Sequence, residues 1–259
     1  MIRVVAETGS TNADLLQLVR AGAAEEGLWL RAERQTAGRG RQGRQWDSPA
    51  GNFYGSTLVR LRAGDPAAAT LGFVAAVALA EVVAEIIEPS ASALDGGASR
   101  SLLERTAQQR GDRKGGLRLK WPNDLLLHGA KLSGILLERA GDDVVIGIGV
   151  NLAHHPDLPD RPTTSLAAHG AALDAAAFAP KLADAIARWI ERWRADGFAP
   201  VRERWLELAH PIGSPLRAVL PDGDVVEGAF ETLDAYGVLI LHLADGTRRS
   251  IHAGDVFPV

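Results

Sequence analysis

Gln35-Thr36-Ala37-Gly38-Arg39-Gly40-Arg41-Gln42-Gly43-Arg44-Gln45-Trp46 concentrates the chemistry of this 259-residue chain. Three glycines alternate with three arginines, and an indole closes the run. Glycines at this spacing let backbone N–H groups approach a bound anion, and guanidinium groups add charge and forked donors that match phosphate or carboxylate oxygens. The composition points to an anionic ligand. Gly38, Gly40 and Gly43 also spell G-x-G-x-x-G after a predicted strand at residues 28–34, and Asp65 lies about where a dinucleotide fold places its ribose-binding acid. Such a fold needs the third glycine to open a helix. Here Arg44-Gln45-Trp46-Asp47-Ser48-Pro49 runs through Gly51-Asn52 into a new strand instead. A G-x-x-x-x-G-K-[ST] phosphate loop and the kinase sets Val-Ala-Ile-Lys and His-Arg-Asp are absent as well. Taken alone, the run also reads as a solvated basic hairpin.

Upstream, residues 3–6 are β-rich, and Ser10-Thr11-Asn12-Ala13-Asp14 after Gly9 reads as a helix start. Thr11 as N-cap with Asp14 three residues on makes a capping box before Leu15, Leu16, Leu18 and Val19. Ser10, Thr11 and Asn12 are therefore expected as capping residues. Their hydroxyls and amide would reach a polar ligand head group if this helix start faced the arginine run.

Downstream, residues 53–61 are aromatic and β-branched enough for a strand, and a helix follows over 67–87. Residues 88–116 change composition to Pro, Ser, Gly and charge, which predicts a surface insertion with a short helix at 102–109. Strands are then expected at 117–121, 125–128, 131–138 and 144–152, divided by the turns Pro122-Asn123-Asp124 and Gly129-Ala130. These segments hairpin into one mixed or antiparallel sheet. Lys131 opens a strand that otherwise reads as buried, and Asn123 and Asp124 sit in the preceding turn. Leu182, Ala185, Ile186, Trp189 and Trp193 fall at helical spacing within 178–195, so the tryptophans are expected in the core, and a second helix covers 199–208. After Pro211-Ile212-Gly213 come the alternating runs 216–220, 225–233, 238–243 and 248–252, an all-β module of SH3 type with no recognisable site. The fold class is therefore α+β, with a main domain over 1–210 and a small domain over 211–259.

Composition narrows the function classes. A formal net charge of −4 gives no whole-protein attraction to nucleic acid or to an anionic membrane. The absence of cysteine excludes disulfides, thiolate metal sites and cysteine nucleophiles. His154-His155 has no third ligand at metal spacing. The first seven residues lack a signal-peptide core, and the apolar run over 67–87 carries Glu81 and Glu85, so no membrane span is required. The expected compartment is the cytoplasm.

Read together, Ser10-Thr11-Asn12, Gln35 to Trp46, Lys120-Trp121-Pro122-Asn123-Asp124, Lys131-Leu132-Ser133-Gly134-Ile135-Leu136 and Gly147-Ile148-Gly149-Val150-Asn151-Leu152 resemble, in order and spacing, the biotin protein ligase family. The resemblance implies a catalytic domain like that of class II aminoacyl-tRNA synthetases plus a small SH3-like C-terminal barrel. It implies a two-step reaction: biotin and ATP, with Mg²⁺, give biotinyl-5′-AMP, and a lysine of a biotin carboxyl carrier protein then takes the biotin. By the same resemblance Ser10, Thr11, Asn12, Gln35, Arg39, Gly40, Arg41, Lys131 and Gly134 would bind biotin. Arg41, Arg44, Trp46, Lys120, Asn123, Asp124 and Asn151 would bind ATP or the adenylate. Lys131, Arg39 and Arg41 would be catalytic, and Asp124 would hold the metal. Many members begin with a helix-turn-helix. Here the catalytic texture starts at once, so DNA is not an expected partner, and either a monomer or a homodimer fits. Two alternatives remain open: a lipoate-attaching enzyme of the same fold, and a biotin sensor that does not ligate.

Overall fold

A computed structural model describes residues 1–87, 116–159 and 161–259. The expected insertion, including its helix at 102–109, lies outside the described residues apart from Gly116. Seven strands form the main sheet: β1 (Ile2–Thr8), β2 (Trp29–Gln35), β3 (Phe53–Arg60), β4 (Leu117–Lys120), β5 (Asp124–Leu127), β6 (Ala130–Ala140) and β7 (Asp143–Val150). Their order is β1-β2-β3-β7-β6-β5-β4. β1 and β2 run parallel and the other pairs antiparallel, which makes the sheet mixed.

Helices cover both faces. On one lies α1 (Thr11–Arg20), whose Leu15 and Leu16 pack with Leu28, Leu58 and Val145. On the other lie α2 (Leu71–Ile87), α3 (Ala175–Asp196) and α4 (Ala199–Leu208). α2 is apolar on nearly every side, Glu81 and Glu85 apart, and packs on the sheet and also on α3 and α4. With the turn before it, Ala68–Ile87 is long and apolar enough to cross a membrane, yet 72% of its apolar window is buried inside the protein. Trp189 and Trp193 of α3 do lie in this core, and each indole keeps a partner: Glu81 for Trp189 at 2.9 Å and Thr70 for Trp193 at 2.8 Å.

A five-stranded antiparallel sheet follows: β8 (Pro215–Val219), β9 (Val225–Leu233), β10 (Leu239–His242), β11 (Arg248–Ile251) and β12 (Asp255–Pro258), in the order β11-β10-β9-β8-β12. This is the expected all-β module, with the strand content of an SH3-type barrel. β12 was not among the expected strands, since four residues ending in proline carry little alternation. The module shares the main core: Leu216, Phe230, Leu239 and Val256 cluster with Trp205 of α4, and Trp121 Nε1 donates to the Gly237 carbonyl at 3.0 Å.

Strand parity decides where the sheet is left open. On β7, Val144, Ile146, Ile148 and Val150 face α2 and α3, while Val145, Gly147 and Gly149 face α1. Val145 is covered by α1. Gly147 and Gly149 continue the same face without side chains, so the sheet floor drops away where the start of α1 stands.

Candidate active site

The cavity over that floor measures about 470 Å³, within the usual size of a small-molecule site. All fifteen residues named from the sequence line it: Ser10, Thr11, Asn12, Gln35, Arg39, Gly40, Arg41, Arg44, Trp46, Lys120, Asn123, Asp124, Lys131, Gly134 and Asn151. Six basic side chains (Arg39, Arg41, Arg44, Lys120, Lys131, Arg161) face three carboxylates (Asp47, Asp124, Asp255). The site is cationic inside an acidic protein, which selects anions.

At one end sits a polar knot. The capping-box expectation fails here: Ser10 occupies the N-cap with no side-chain cap bond, and Asp14 accepts instead from the Thr8 hydroxyl. Thr11 is spent on Gln35, whose Oε1 accepts from Thr11 N at 2.9 Å and Oγ1 at 3.2 Å. Ser56 Oγ lies 2.7 Å from Thr11 Oγ1 and 2.6 Å from Asn12 Oδ1, and Asn12 Nδ2 donates to Glu138 at 2.8 Å. Local pattern favoured caps, but these side chains found partners far away in sequence, which no i+3 rule can see. A Cβ on Gly147 would overlap the Asn12 amide.

The arginine run forms a flap. Arg39 bridges Gln45, Gly40 N donates to the Arg44 carbonyl at 2.7 Å, and Trp46 N donates to Gly38 at 2.9 Å. Arg41–Gly43 is a single tight turn with Gln42 at φ 57° and Gly43 at φ 73°, not a helix start. The dinucleotide reading is thereby excluded. The flap ends by laying Trp46 across Gly149 and Gly134, a directly paired position of β7 and β6. Lys131 Nζ stands 5.4 Å from the indole centroid.

A β-bulge places Lys131. Ser133 pairs with Leu125 but Lys131 pairs with Leu126, leaving Leu132 as the extra residue. By plain alternation Lys131 would share a face with Ser133 and Ile135 and point toward the core. The bulge turns it to the cavity, beside Asp124, whose Oδ1 is 2.6 Å away as an ion pair rather than an aligned hydrogen bond. Lys120 Nζ approaches the same carboxylate at 3.7 Å, and burial pulls its ammonium below the ordinary lysine range. The segment after β7 then clamps the lysine backbone: Lys131 N donates to the Pro162 carbonyl at 2.9 Å, and Thr164 N to the Lys131 carbonyl at 3.0 Å. Asn151 Nδ2 donates to the Thr164 carbonyl at 2.9 Å, and Asn123 Nδ2 to the Ile135 carbonyl at 2.6 Å, so each amide oxygen is the atom left for a ligand.

A model of the biotin/lipoate A/B protein ligase family matches residues 4–151, and one of the biotin protein ligase C-terminal domain matches residues 212–257. The chain belongs to the biotin protein ligase family. Biotin–[acetyl-CoA-carboxylase] ligase of Paracoccus denitrificans is 38% identical over 98% of this chain and 99% of that one. The ligase of the same name from Mycobacterium tuberculosis is 37% identical over 98% and 87%. The fold is that of biotin protein ligase from Aquifex aeolicus, solved with biotin and ATP, at TM-score 0.79 and 22% identity over 100% and 99% of the two chains.

In this biotin protein ligase several lining residues escaped sequence reasoning. Tyr54 lines the cavity from a strand that is buried almost throughout, and nothing local marks it; Ser56, two residues on, backs the polar knot, with a small polar residue in a strand as its only local hint. Pro156, Leu158, Arg161 and Thr163 come from an irregular segment with no periodicity. Asp255 and Phe257 come from the C-terminal sheet, which was expected to carry no site. A metal cage built by protein alone is absent: among the described residues no three His, Asp or Glu side chains could hold an ion together. Asp124 is a single carboxylate, which fits Mg²⁺ held chiefly by substrate phosphates.

Proposed function

We propose that this biotin ligase makes biotinyl-5′-AMP from biotin and ATP and transfers the biotin to a lysine of a biotin carboxyl carrier domain, working in the cytoplasm. The observation that carries the reading is the convergence of Lys131, Arg39 and Arg41 on one cavity with the uncharged Thr11–Gln35–Asn12 knot. The names of the two ligases similar to it over nearly their whole length support the same substrate and an acetyl-CoA carboxylase carrier.

In the first step a biotin carboxylate oxygen attacks the α-phosphorus, the bond to the β-phosphate breaks, and pyrophosphate leaves. Anion meets anion, so the barrier is electrostatic and positional. The knot would bind the ureido head, Lys131 would bridge carboxylate and phosphate, and Arg39 and Arg41 would neutralise developing charge. Trp46 would wall the adenine, with Asn123 and Asn151 accepting from its amino group, while Arg44 and Lys120 face the phosphates. Asp124 would help the substrate phosphates hold Mg²⁺, which would supply further charge neutralisation. In the second step the carrier amine attacks the carbonyl carbon and AMP leaves. The amine must first lose its proton, and Asp124 is our candidate for the base.

Incubating the protein with biotin, Mg²⁺-ATP and a carrier domain tests this. The expected result is a single biotin added to the carrier mass; addition of lipoate instead, or binding of biotin with no transfer, overturns it.

A further inference from the structure

β12 runs along the cavity rim beside the flap. Its position is set by β8, with Asp255 opposite Val219 and Phe257 opposite Arg217. Gly254 enters this strand at φ +150°, where a Cβ would stand 2.6 Å from the Val219 carbonyl oxygen, so only glycine fits. That turn presents the Gly254 carbonyl to Arg41 Nη1 at 3.4 Å and the Asp255 carboxylate to Arg44, with which it forms an ion pair. Arg44 also donates to Gln42 Oε1 at 2.7 Å, which ties the pair to the flap tip. Phe257, on the same face two residues on, places its ring 4.9 Å from Lys120 Nζ.

A two-stranded hairpin this short is marginal in water, and the arginines of this one repel each other. The flap therefore needs an outside anchor to stand over the cavity, and β12 is where its arginine side chains find one. An exposed ion pair would be a weak anchor. This one is half-buried on both sides, at 38% and 27% exposure, and is backed by the Arg41 contact one turn away. Arg44 and its neighbours hold the Asp255 carboxyl below the ordinary range against the opposing pull of burial, as a formed pair requires.

We propose that Asp255 is a positioning residue: by latching Arg44 it holds the flap, and with it Arg39, Arg41 and Trp46, over the cavity before substrates arrive. The consequence for adenylate formation rests on the ligase reading. The latch itself does not.

Limited trypsin digestion of the full chain reads the flap directly, because cleavage after Arg39, Arg41 or Arg44 requires it to lift. Asp255→Asn is expected to speed flap cleavage about fivefold, as loss of a local closing contact would. Asp255→Glu should stay near wild type, and Asp245→Asn, on another turn of the same sheet, should have no effect. An Asp255→Asn flap cut no faster than wild type overturns the latch. Should that variant fail to fold, Arg44→Gln decides from the other half of the pair: its flap, cut after Arg39 or Arg41, must open about fivefold faster than wild type. An Arg44→Gln flap that stays protected overturns the proposal equally. With biotin and Mg²⁺-ATP, Asp255→Asn should raise KM for ATP more than it lowers kcat. A protein that loses flap protection in Asp255→Asn but makes no biotinyl-AMP keeps the latch and ends the ligase reading. One that biotinylates a carrier while the Asp255→Asn flap stays protected ends the latch alone.

Discussion

Trp46 lies across Gly149: a Cβ on that glycine would stand 2.6 Å from the indole Nε1 and 2.7 Å from Cε2. The glycine is a seat for the ring, and the flap reaches its working position only because the seat is bare. Gly149→Ala is therefore expected to push Trp46 off the sheet. Alanine is at least as good as glycine in a strand, so the melting temperature should hold within a few degrees. KM for ATP should rise about tenfold, which corresponds to about 1.4 kcal/mol of lost stacking and positioning. Steady-state kinetics with ATP varied at saturating biotin checks it, and an unchanged KM would remove the indole from the nucleotide site.

Thr11 is spent on Gln35 and Ser56 rather than on capping α1. Thr11→Val keeps the shape and the backbone donor to Gln35 but deletes the hydroxyl. The expected stability loss is about 1 kcal/mol, the usual worth of one hydrogen bond. Biotin affinity should fall by at least tenfold, since a site built around polar partners discriminates strongly when one is missing. Calorimetric titration with biotin measures this. A stability loss well above that with biotin binding intact would return Thr11 to a purely structural role.

Arg41, at the flap's tight turn, is half-buried and contacts the Gly254 carbonyl. Arg41→Gly removes both cover and charge, so water and product should pass more freely. Free biotinyl-5′-AMP in solution, followed by chromatography in the absence of a carrier, is expected to increase several-fold over wild type. No increase would count against closure as the flap's purpose.

His210 stands where α4 leads into the C-terminal sheet, with a buried, unpartnered Nε2. Burial, then the charges of Arg118 and Lys120, hold its imidazole below the ordinary value of 6.5. The unfolded chain thus binds a proton at a pH where the folded chain does not. Stability must fall as pH drops from 6.5 toward the lowered folded value, and it levels off below that. Melting curves at pH 7.5 and pH 5 should show the decline, and His210→Gln should reduce it. Equal slopes in the variant and wild type would assign the acid sensitivity elsewhere.

Most elements were legible in the chain because their signals are local. The aromatic and β-branched content of β3, the alternation of β9, the apolar run of α2 and the helical spacing of Leu182, Ala185, Ile186, Trp189 and Trp193 are each written within one window of sequence. The flap was legible too, since the arrangement of glycine, arginine and tryptophan is itself the chemistry. What failed were judgements needing a partner outside the window. Thr11 looked like the N-cap, a position that Ser10 takes, because its competing acceptor, Gln35, lies 24 residues away. β12 was missed because its order comes from pairing with β8, not from its own four residues.

The amino-acid sequence by itself determined which side chains are available and that their ligand is an anion: guanidinium and ammonium groups carry charge wherever they are placed. Tertiary structure alone decided their geometry. A single extra residue at Leu132 reverses the side to which Lys131 points, and the approach of β12 brings a carboxylate from the last five residues of the chain onto Arg44. Strand register and the docking of one sheet beside another are set by the summed packing of many residues, so neither can be read from the few that they position.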